Sequence, residues 1–151
     1  MALQISKAEV WAAEIQDQPG GLAEKLAAIA DAGADLEFII ARRREDQPGS
    51  GVVFVTPIKG KRVQQAAQAA GFNRAEGIGT LRVEGPDKPG LGARLCRAVA
   101  DAGINTRGVS AAVIGNKYVA YFGFDSEADA ASALKALKGT DAPARRKVAR
   151  R

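Results

Sequence analysis

The chain has no histidine, a single cysteine and few aromatic residues, and these absences remove whole classes of function. Histidine is the side chain that most often transfers protons or binds metal near neutral pH. Without it, Ser-His-Asp and Cys-His catalytic sites are excluded, and so are the usual zinc sites. Cys96 has no partner for an internal disulfide, which fits a reducing compartment. We therefore predict no catalytic residues, no metal site and no cofactor.

Long apolar runs are also missing. No stretch approaches the roughly 18 residues that a membrane-spanning helix needs. Residues 1–14 lack the basic flank, apolar stretch and cleavage site of a signal peptide. We therefore expect a cytoplasmic protein without a membrane partner. With 151 residues and 46% hydrophobic content, the chain can bury one good core or two small ones.

Positive charge is concentrated at the end of the chain. The formal net charge is +5, and five of the 22 Lys and Arg residues lie within residues 145–151. The remaining 17 basic residues balance the 17 acidic ones, so the rest of the chain is neutral. A neutral body offers no long-range attraction to phosphate. Nucleic acid is therefore not an expected partner, and residues 145–151 are interpreted as a solvated basic tail.

An internal repeat organises the rest of the sequence. Asp17-Gln18-Pro19-Gly20 recurs 70 residues later as Asp87-Lys88-Pro89-Gly90, and Ala-Asp-Ala-Gly at 30–33 recurs at 100–103. Nine of the 17 positions from Asp17 to Gly33 are identical to their counterparts. Such self-similarity indicates two copies of one structural unit.

Each copy contains the same order of predicted elements. A strand runs into Asp-x-Pro-Gly, where proline suits the first turn of a helix, and the helix ends at Gly33 or Gly103. A hairpin and a second helix follow, and the first copy closes with a short strand at 72–76, which gives the order βαββαβ. In the second copy Pro143 stands where that last strand should be, so the strand is expected to be short or missing.

The fold class that follows is α+β, as a tandem repeat of two ferredoxin-like βαββαβ modules with antiparallel sheets. The predicted domains are residues 1–76 and 77–144, with 145–151 as the tail. The first helix should bury Leu22, Leu26 and Ile29, and the third should bury Leu91, Leu95 and Val99. Cys96, at the place of Leu26, is interpreted as a core residue.

The combination of Asp-x-Pro-Gly after a strand, an amphipathic helix and Ala-Gly-Ile-Asn at 102–105 resembles the ACT domain. Both copies carry the resemblance, which covers nearly the whole chain. It implies a freestanding regulatory protein that binds an amino acid where two modules lie side by side. It also implies a homodimer and a separate enzyme or transporter as the regulated partner.

The glycine turns offer a physical basis for such a site. Backbone N–H groups at a helix N-terminus attract a carboxylate, and glycine permits close approach. We predict that the amides of Gly20, Gly21, Gly90 and Leu91 bind the carboxylate. Candidate acceptors for an ammonium group are Asp17, Asp35, Asp87 and Asn105. Equally, Asp17 and Asp87 could satisfy the amides of their own turns.

Two other functions are open to the sequence. One is a dimerisation scaffold, or a trans-acting regulatory subunit, whose pockets no longer bind a ligand. The other is RNA binding, because RNA-recognition modules share the βαββαβ order and use aromatic residues on the third strand. That strand, residues 117–124, has four aromatics but lacks the basic-Gly-aromatic-Gly pattern.

Overall fold

The computed structural model describes residues 3–140 and contains eight strands and four helices in that range. Two predictions fall outside the described residues: the disruption of the last strand by Pro143 and the tail at 145–151. Residues 9–76 form one compact unit, here called the first module. The described residues 3–8 and 77–140 form the other, the second module. The elements in chain order are β1 (Gln4–Ala8), β2 (Trp11–Gln16), α1 (Gly21–Ala30), β3 (Phe38–Arg43), β4 (Ser50–Thr56), α2 (Lys61–Ala69), β5 (Asn73–Arg74), β6 (Gly79–Pro86), α3 (Leu91–Asp101), β7 (Thr106–Ile114), β8 (Lys117–Phe124) and α4 (Glu127–Thr140).

The first module confirms the predicted βαββαβ order. Its antiparallel sheet has the strand order β3-β4-β2-β5, so the short closing strand pairs with the first strand of the unit. Alternate residues of the central strands, among them Val53 and Val55, face α1 and α2 and are fully buried. Trp11, Ile29 and Phe72 complete this core at exposures of 1% or less.

The second module has the same architecture with one strand supplied from a distant part of the sequence. Its sheet order is β1-β6-β8-β7, and β1 runs antiparallel to β6 from Gln4 opposite Glu84 to Ala8 opposite Thr80. The N-terminal strand therefore occupies the edge position that β5 holds in the first module. The core contains Leu81, Leu95 and Phe122, all at 0% exposure.

The structure therefore differs from the linear division into residues 1–76 and 77–144. Residues 4–8 pair with β6 and lie in the second module. The physical reason is visible in β1, because Ile5 and Leu3 pack against the second core and the strand covers an edge that would otherwise carry unpaired backbone groups. Alternation in five residues gives too weak a signal to say which of two sheets a strand joins.

Helix ends follow the predicted chemistry. Gly33 and Gly103 have φ angles of +102° and +78°, a conformation that L-residues rarely adopt, and their amides bond to the last turns of α1 and α3. Ser126 caps α4, because its hydroxyl accepts a hydrogen bond from the amide of Asp129 at 3.0 Å. The interpretation of Cys96 as a core residue is wrong, since Cys96 is exposed. Helix α3 instead buries Leu91, Leu95 and Val99, and Cys96 lies outside this buried face.

Candidate functional site

The two glycine turns have the same backbone geometry. Gly20 and Gly90 are the N-terminal caps of α1 and α3, with φ angles of +87° and +80°. Neither helix has a side-chain hydrogen bond at its cap. The Asp17 carboxylate accepts hydrogen bonds from Arg43, and within residues 3–140 the Asp87 carboxylate has no hydrogen-bond partner, so neither aspartate side chain bonds to the amides of its turn.

The amides that face outward are not the set predicted from the sequence. The Gly21 amide donates to the carbonyl oxygen of Gln18, and the Leu91 amide donates to that of Lys88, each at 3.1 Å. These two groups are used inside their own turns. In a helix the next two amides also lack intrahelical partners, so at α1 the available donors are those of Gly20, Leu22 and Ala23.

Asp17 is paired with a neighbouring strand. Its carboxylate accepts a hydrogen bond from Nε of Arg43 at 2.5 Å, and the backbone amide of Asp17 donates to Gly49 at 3.0 Å. The hydrogen bond and the charge of Asp17 raise the pKa of Arg43 above its ordinary value. The ion pair holds the turn against the end of β3, and it occupies the carboxylate that was predicted to bind an ammonium group.

The other predicted acceptors are dispersed. Asp35 lies exposed between α1 and β3, Asn105 lies exposed just before β7, and Asp87 is exposed at the second glycine turn. The backbone amide of Asp87 donates a hydrogen bond to the carbonyl oxygen of Asn116 at 2.9 Å. Among residues 3–140, no hydrogen bond or ion pair joins the side chains of Asp35, Asp87 or Asn105 to another group. Each module by itself therefore does not gather these side chains into one site.

A cavity of about 600 Å³ lies in the first module beside its glycine turn. Its volume is in the range of small-molecule sites. The lining comes from the end of β2, the first two turns of α1, the start of β4 and the residue after α2. The lining residues are Glu14, Ile15, Gln16, Gly21, Glu24, Lys25, Gly49, Ser50 and Ala70.

Glycine at position 21 is required by the close approach of two main chains. A Cβ atom there would lie 2.2 Å from the carbonyl oxygen of Gln16, far inside van der Waals contact. Gly21 is buried, whereas its counterpart Leu91 places a side chain in the second core at 2% exposure. At this position the first module therefore has no side chain, whereas the second module buries the leucine side chain of Leu91.

Two further differences between the repeats also leave the first module with less apolar side-chain volume beside its glycine turn. Lys25 stands at the place of the fully buried Leu95, and Gly51 stands opposite Ile15 where Tyr118 stands opposite Gly85. The Tyr118 hydroxyl reaches the first turn of α3, 3.3 Å from where a Cβ on the glycine at 92 would lie. Leucine and tyrosine side chains therefore occupy, in the second module, the region where the first has glycine and lysine.

Lys25 spans the cavity between the two helices. Its Nζ donates a hydrogen bond to the carbonyl oxygen of Ala70, directly after α2. A cation is favourable at a helix C-terminus, so this contact stabilises the packing of α1 on α2. An ammonium group has three donors, and this bond uses one of them.

Acceptors and a hydroxyl complete the lining. Glu24 is exposed in the first turn of α1, and Glu14 on β2 lies 3.8 Å from the guanidinium of Arg44. The Ser50 hydroxyl oxygen is buried and has no hydrogen-bond partner among residues 3–140. The cavity therefore offers a cation and carboxylates close to one another, with the buried Ser50 hydroxyl behind the lining.

The sequence prediction missed Lys25, Glu24, Glu14 and Ser50. The signal that could have found them lies in the differences between the repeats. Identical positions mark the turn that both copies share, whereas Gly21 and Lys25 stand where the second copy has leucine, and Leu22 and Leu26 pack against the first core instead.

Three of the four aromatic residues of β8 face the core of the second module. Tyr118, Phe122 and Phe124 are buried on the side covered by α3 and α4, and Tyr121 on the other side is 6% exposed. Bases stack on aromatic rings that are open on the sheet surface. The buried positions of these rings argue against the RNA-binding alternative.

Within the described range, no cluster of three or more histidine, cysteine or acidic side chains is arranged to hold a metal ion. Among the helices of residues 3–140, none is both long and apolar enough to cross a membrane.

Comparisons with known proteins agree with the fold. Residues 80–142 match the family model of the ACT domain. The regulatory subunit of aspartate kinase from Thermus thermophilus, in its ligand-free form, has a TM-score of 0.63 at 20% identity, over 93% of this chain and 97% of that one. A protein from Bacteroides thetaiotaomicron has a TM-score of 0.72 at 12% identity, over 89% of this chain and 96% of that one.

Aspartokinase III from E. coli, in complex with aspartate and ADP, matches with a TM-score of 0.59 at 14% identity; the match covers 91% of this chain and 32% of the enzyme. No curated protein sequence matches the chain. The predicted tandem ferredoxin-like fold is thereby confirmed. Residues 80–142 match the family model of the ACT domain, and the chain has the fold of two tandem ferredoxin-like modules of the ACT type.

Proposed function

We propose that the chain is a non-catalytic regulatory protein that binds a free amino acid in the cavity of its first module. The observation that carries the proposal is the exchange of buried apolar residues for glycine and lysine beside the glycine turn. Gly21 and Lys25 stand where the second module buries Leu91 and Leu95. Leu22 and Leu26 pack against the first core instead, so the apolar face of α1 is rotated relative to that of α3, and the side of α1 that carries Gly21 and Lys25 borders the cavity.

The charges of the lining match both ends of an amino acid. The α-carboxylate would accept hydrogen bonds from the two remaining donors of Lys25 and from the free amides at the start of α1, where the helix dipole also favours an anion. The α-ammonium would donate to Glu24 or Glu14. A zwitterion leaves each charged group with a partner, whereas a simple anion or cation would leave one side of the lining unmatched.

The regulatory part of the proposal rests on the comparisons. The match over residues 80–142 is to a domain without a catalytic site of its own, and one similar structure is named as the regulatory subunit of an amino-acid kinase. A tandem pair of such modules would act on a separate enzyme or transporter in the cytoplasm. A ligand that binds one conformation better shifts the population toward it, which is how the signal would be passed on. We further propose a homodimer, as the resemblance implied.

Isothermal titration calorimetry with the twenty amino acids tests the binding. We expect heat of binding with one or a few of them, and a stoichiometry of one per chain because Leu91, Leu95 and Tyr118 occupy the matching region of the second module. The amino acid that binds should then be compared with its N-acetylated and its C-amidated derivatives. Each derivative removes one charge, and both should lose binding.

Two results would contradict the proposal. Equal binding of the N-acetylated derivative would mean that the acidic side of the lining has no role. Absence of binding by all twenty amino acids, with protein shown to be folded by circular dichroism, would leave the cavity without the proposed ligand and favour a scaffold with degenerate pockets.

A further inference from the structure

The outer edge of the second sheet is formed by β7, which is nine residues long. Its inner side pairs with β8, and among residues 3–140 no strand pairs with its outer side. Three of the four exposed large hydrophobic side chains in that range lie on this strand: Val109, Val113 and Ile114, which are 42%, 48% and 73% exposed. The strand therefore presents unpaired main chain together with exposed apolar side chains.

The sequence of β7 does not protect this edge. From Gly108 to Ile114 it has no charged residue and no proline. Proteins commonly protect free edges with charges, prolines or very short strands, because an open edge accepts a strand from another chain. The equivalent edge of the first sheet is protected, since β3 has six residues and ends with Arg42 and Arg43. Pairing with a further strand is therefore expected at β7 and not at β3.

The outward hydrogen-bonding groups of β7 belong to Val109, Ala111 and Val113. The hairpin between β7 and β8 has a two-residue turn, so Ile114 and Lys117 form the hydrogen-bonded pair that closes it. Hydrogen-bonded pairs alternate with non-bonded pairs along an antiparallel ladder. Even-numbered residues in this part of β7 therefore direct their N–H and C=O groups toward β8, and the odd-numbered residues direct theirs outward.

This outward pattern is self-complementary about Ala111. If a second copy pairs antiparallel across a twofold axis at this residue, the N–H of each Ala111 donates to the C=O of the other. The same register places Val109 opposite Val113 of the partner subunit, and no other register pairs the two valines with each other. It also places the exposed Ile114 opposite Gly108 of the partner subunit, where a Cβ atom would have nothing within 4 Å. A second copy of the chain therefore satisfies the hydrogen bonds and the apolar pairs together.

The charges around β7 also suit a second copy. The nearest charged residues, Arg107 and Lys117, lie beyond the ends of the paired segment. Each is paired inside its own module, Arg107 with Asp125 at 3.3 Å and Lys117 with Glu84 at 2.8 Å. Pairing of two β7 strands therefore brings no like charges face to face.

We propose that two copies of the chain associate through β7, antiparallel about Ala111, so that their second sheets form one continuous sheet. The proposal names the interface of the homodimer put forward above and rests on that part of the proposed function. It does not depend on the amino-acid cavity, whose lining residues all lie in the first module.

Sedimentation equilibrium of the full chain and three variants tests the interface. Val113→Lys places an ammonium group in the apolar pair, and Ala111→Pro removes an outward N–H while the ladder with β8 keeps its own. Each should raise the Kd of the dimer about tenfold or more, a loss of roughly 1.4 kcal/mol. Ile39→Lys is the matched control, because Ile39 is 46% exposed on β3, and its Kd should equal that of the wild type.

Oxidation of an introduced cysteine tests the register. In a Cys96→Ala background, Ala111→Cys supplies one thiol on the twofold axis, where paired Cα atoms lie about 5.5 Å apart, a separation that a disulfide can bridge. This variant should form a covalent dimer. Thr106→Cys is the matched control on the same strand, since the register separates its two copies by about 33 Å, and it should stay uncrosslinked.

The outcomes separate this proposal from the rest of the proposed function. An unchanged Kd in Val113→Lys, with the circular dichroism of the wild type, would overturn the interface and leave the homodimer standing. A wild-type chain that stays monomeric at the highest concentration reached would overturn both. Equal crosslinking of Thr106→Cys and Ala111→Cys would overturn the register. Calorimetry with the amino acids reports on the cavity separately from all of these results.

Discussion

Replacing Lys25 by leucine should close the amino-acid cavity without unfolding the protein. Leucine is the residue at the equivalent position of the second module, where Leu95 is fully buried. The same backbone position on an equivalent helix therefore already accommodates this side chain against a similar sheet. The Lys25→Leu variant therefore places in the first module the residue that the second module has at the equivalent position.

Two opposing contributions set the stability of the variant. Burial of a leucine side chain contributes about 1.5–3 kcal/mol. Loss of the hydrogen bond from Lys25 to Ala70, a bond with a charged donor, costs about 1.5–3 kcal/mol. The two nearly cancel, so we expect the free energy of unfolding to change by less than about 1.5 kcal/mol.

The effect on the ligand should be large. An amino acid present at about one hundred times its Kd stabilises the wild-type chain by about 2.7 kcal/mol. For a chain of this size, that corresponds to a rise in Tm of roughly 5–11 °C. In Lys25→Leu this rise should disappear, because the cation is lost and leucine fills part of the cavity.

Thermal unfolding followed by circular dichroism, with and without the amino acid found by calorimetry, measures both quantities. Lys61→Leu is the matched control, since Lys61 is exposed at the start of α2 and does not line the cavity. The control should keep the full ligand-induced rise. A full rise in Lys25→Leu would refute the placement of the ligand in this cavity, and unfolding of Lys25→Leu at room temperature would refute the equivalence of positions 25 and 95.

Three further predictions concern the second module and are checked by unfolding and labelling experiments. Burial raises the pKa of the Tyr118 hydroxyl, and the negative charges of Cys96 and Asp87 add to the rise. As pH rises, the unfolded chain therefore loses this proton before the folded chain does. The free energy of unfolding should fall as pH rises above about 10. Tyr118→Phe should remove that part of the alkaline loss in urea unfolding measured at several pH values. Deletion of residues 1–8 should lower the Tm by several degrees, because it uncovers the edge of β6, and an unchanged Tm would contradict the role of β1. Cys96 should react with a thiol reagent in the native state, and Cys96→Ala should change the free energy of unfolding by less than about 0.5 kcal/mol, since the side chain is exposed.

The sequence predicts the architecture well where the repeat and the turn chemistry agree. The repeated turn at Gly20 and Gly90, the stops at Gly33 and Gly103 and the cap at Ser126 all depend on local backbone requirements, which single residues reveal. The pairing of β1 with β6 depends on contacts between residues 72 to 80 positions apart. Local pattern carries no information about such pairing.

The candidate site was harder to predict for a related reason. The turn glycines could be recognised, but the internal bonds of the Gly21 and Leu91 amides and the ion pair of Asp17 with Arg43 depend on tertiary placement. Substitution of Gly20 is a poor probe of the site, because a φ angle of +87° strains any β-branched residue whether or not a ligand binds there. Lys25 is the sharper probe.

Chemical-shift mapping by ¹H–¹⁵N NMR tests the central claim most directly. The wild-type chain would be titrated with the amino acid that gives heat in calorimetry, and backbone amide signals would be followed to saturation. Binding in the cavity of the first module predicts the largest shifts at Gln16, Gly21, Lys25, Gly49 and Ser50, with small shifts at the equivalent turn around Gly90. Equal shifts at both turns, or shifts confined to residues away from this cavity, would contradict the account.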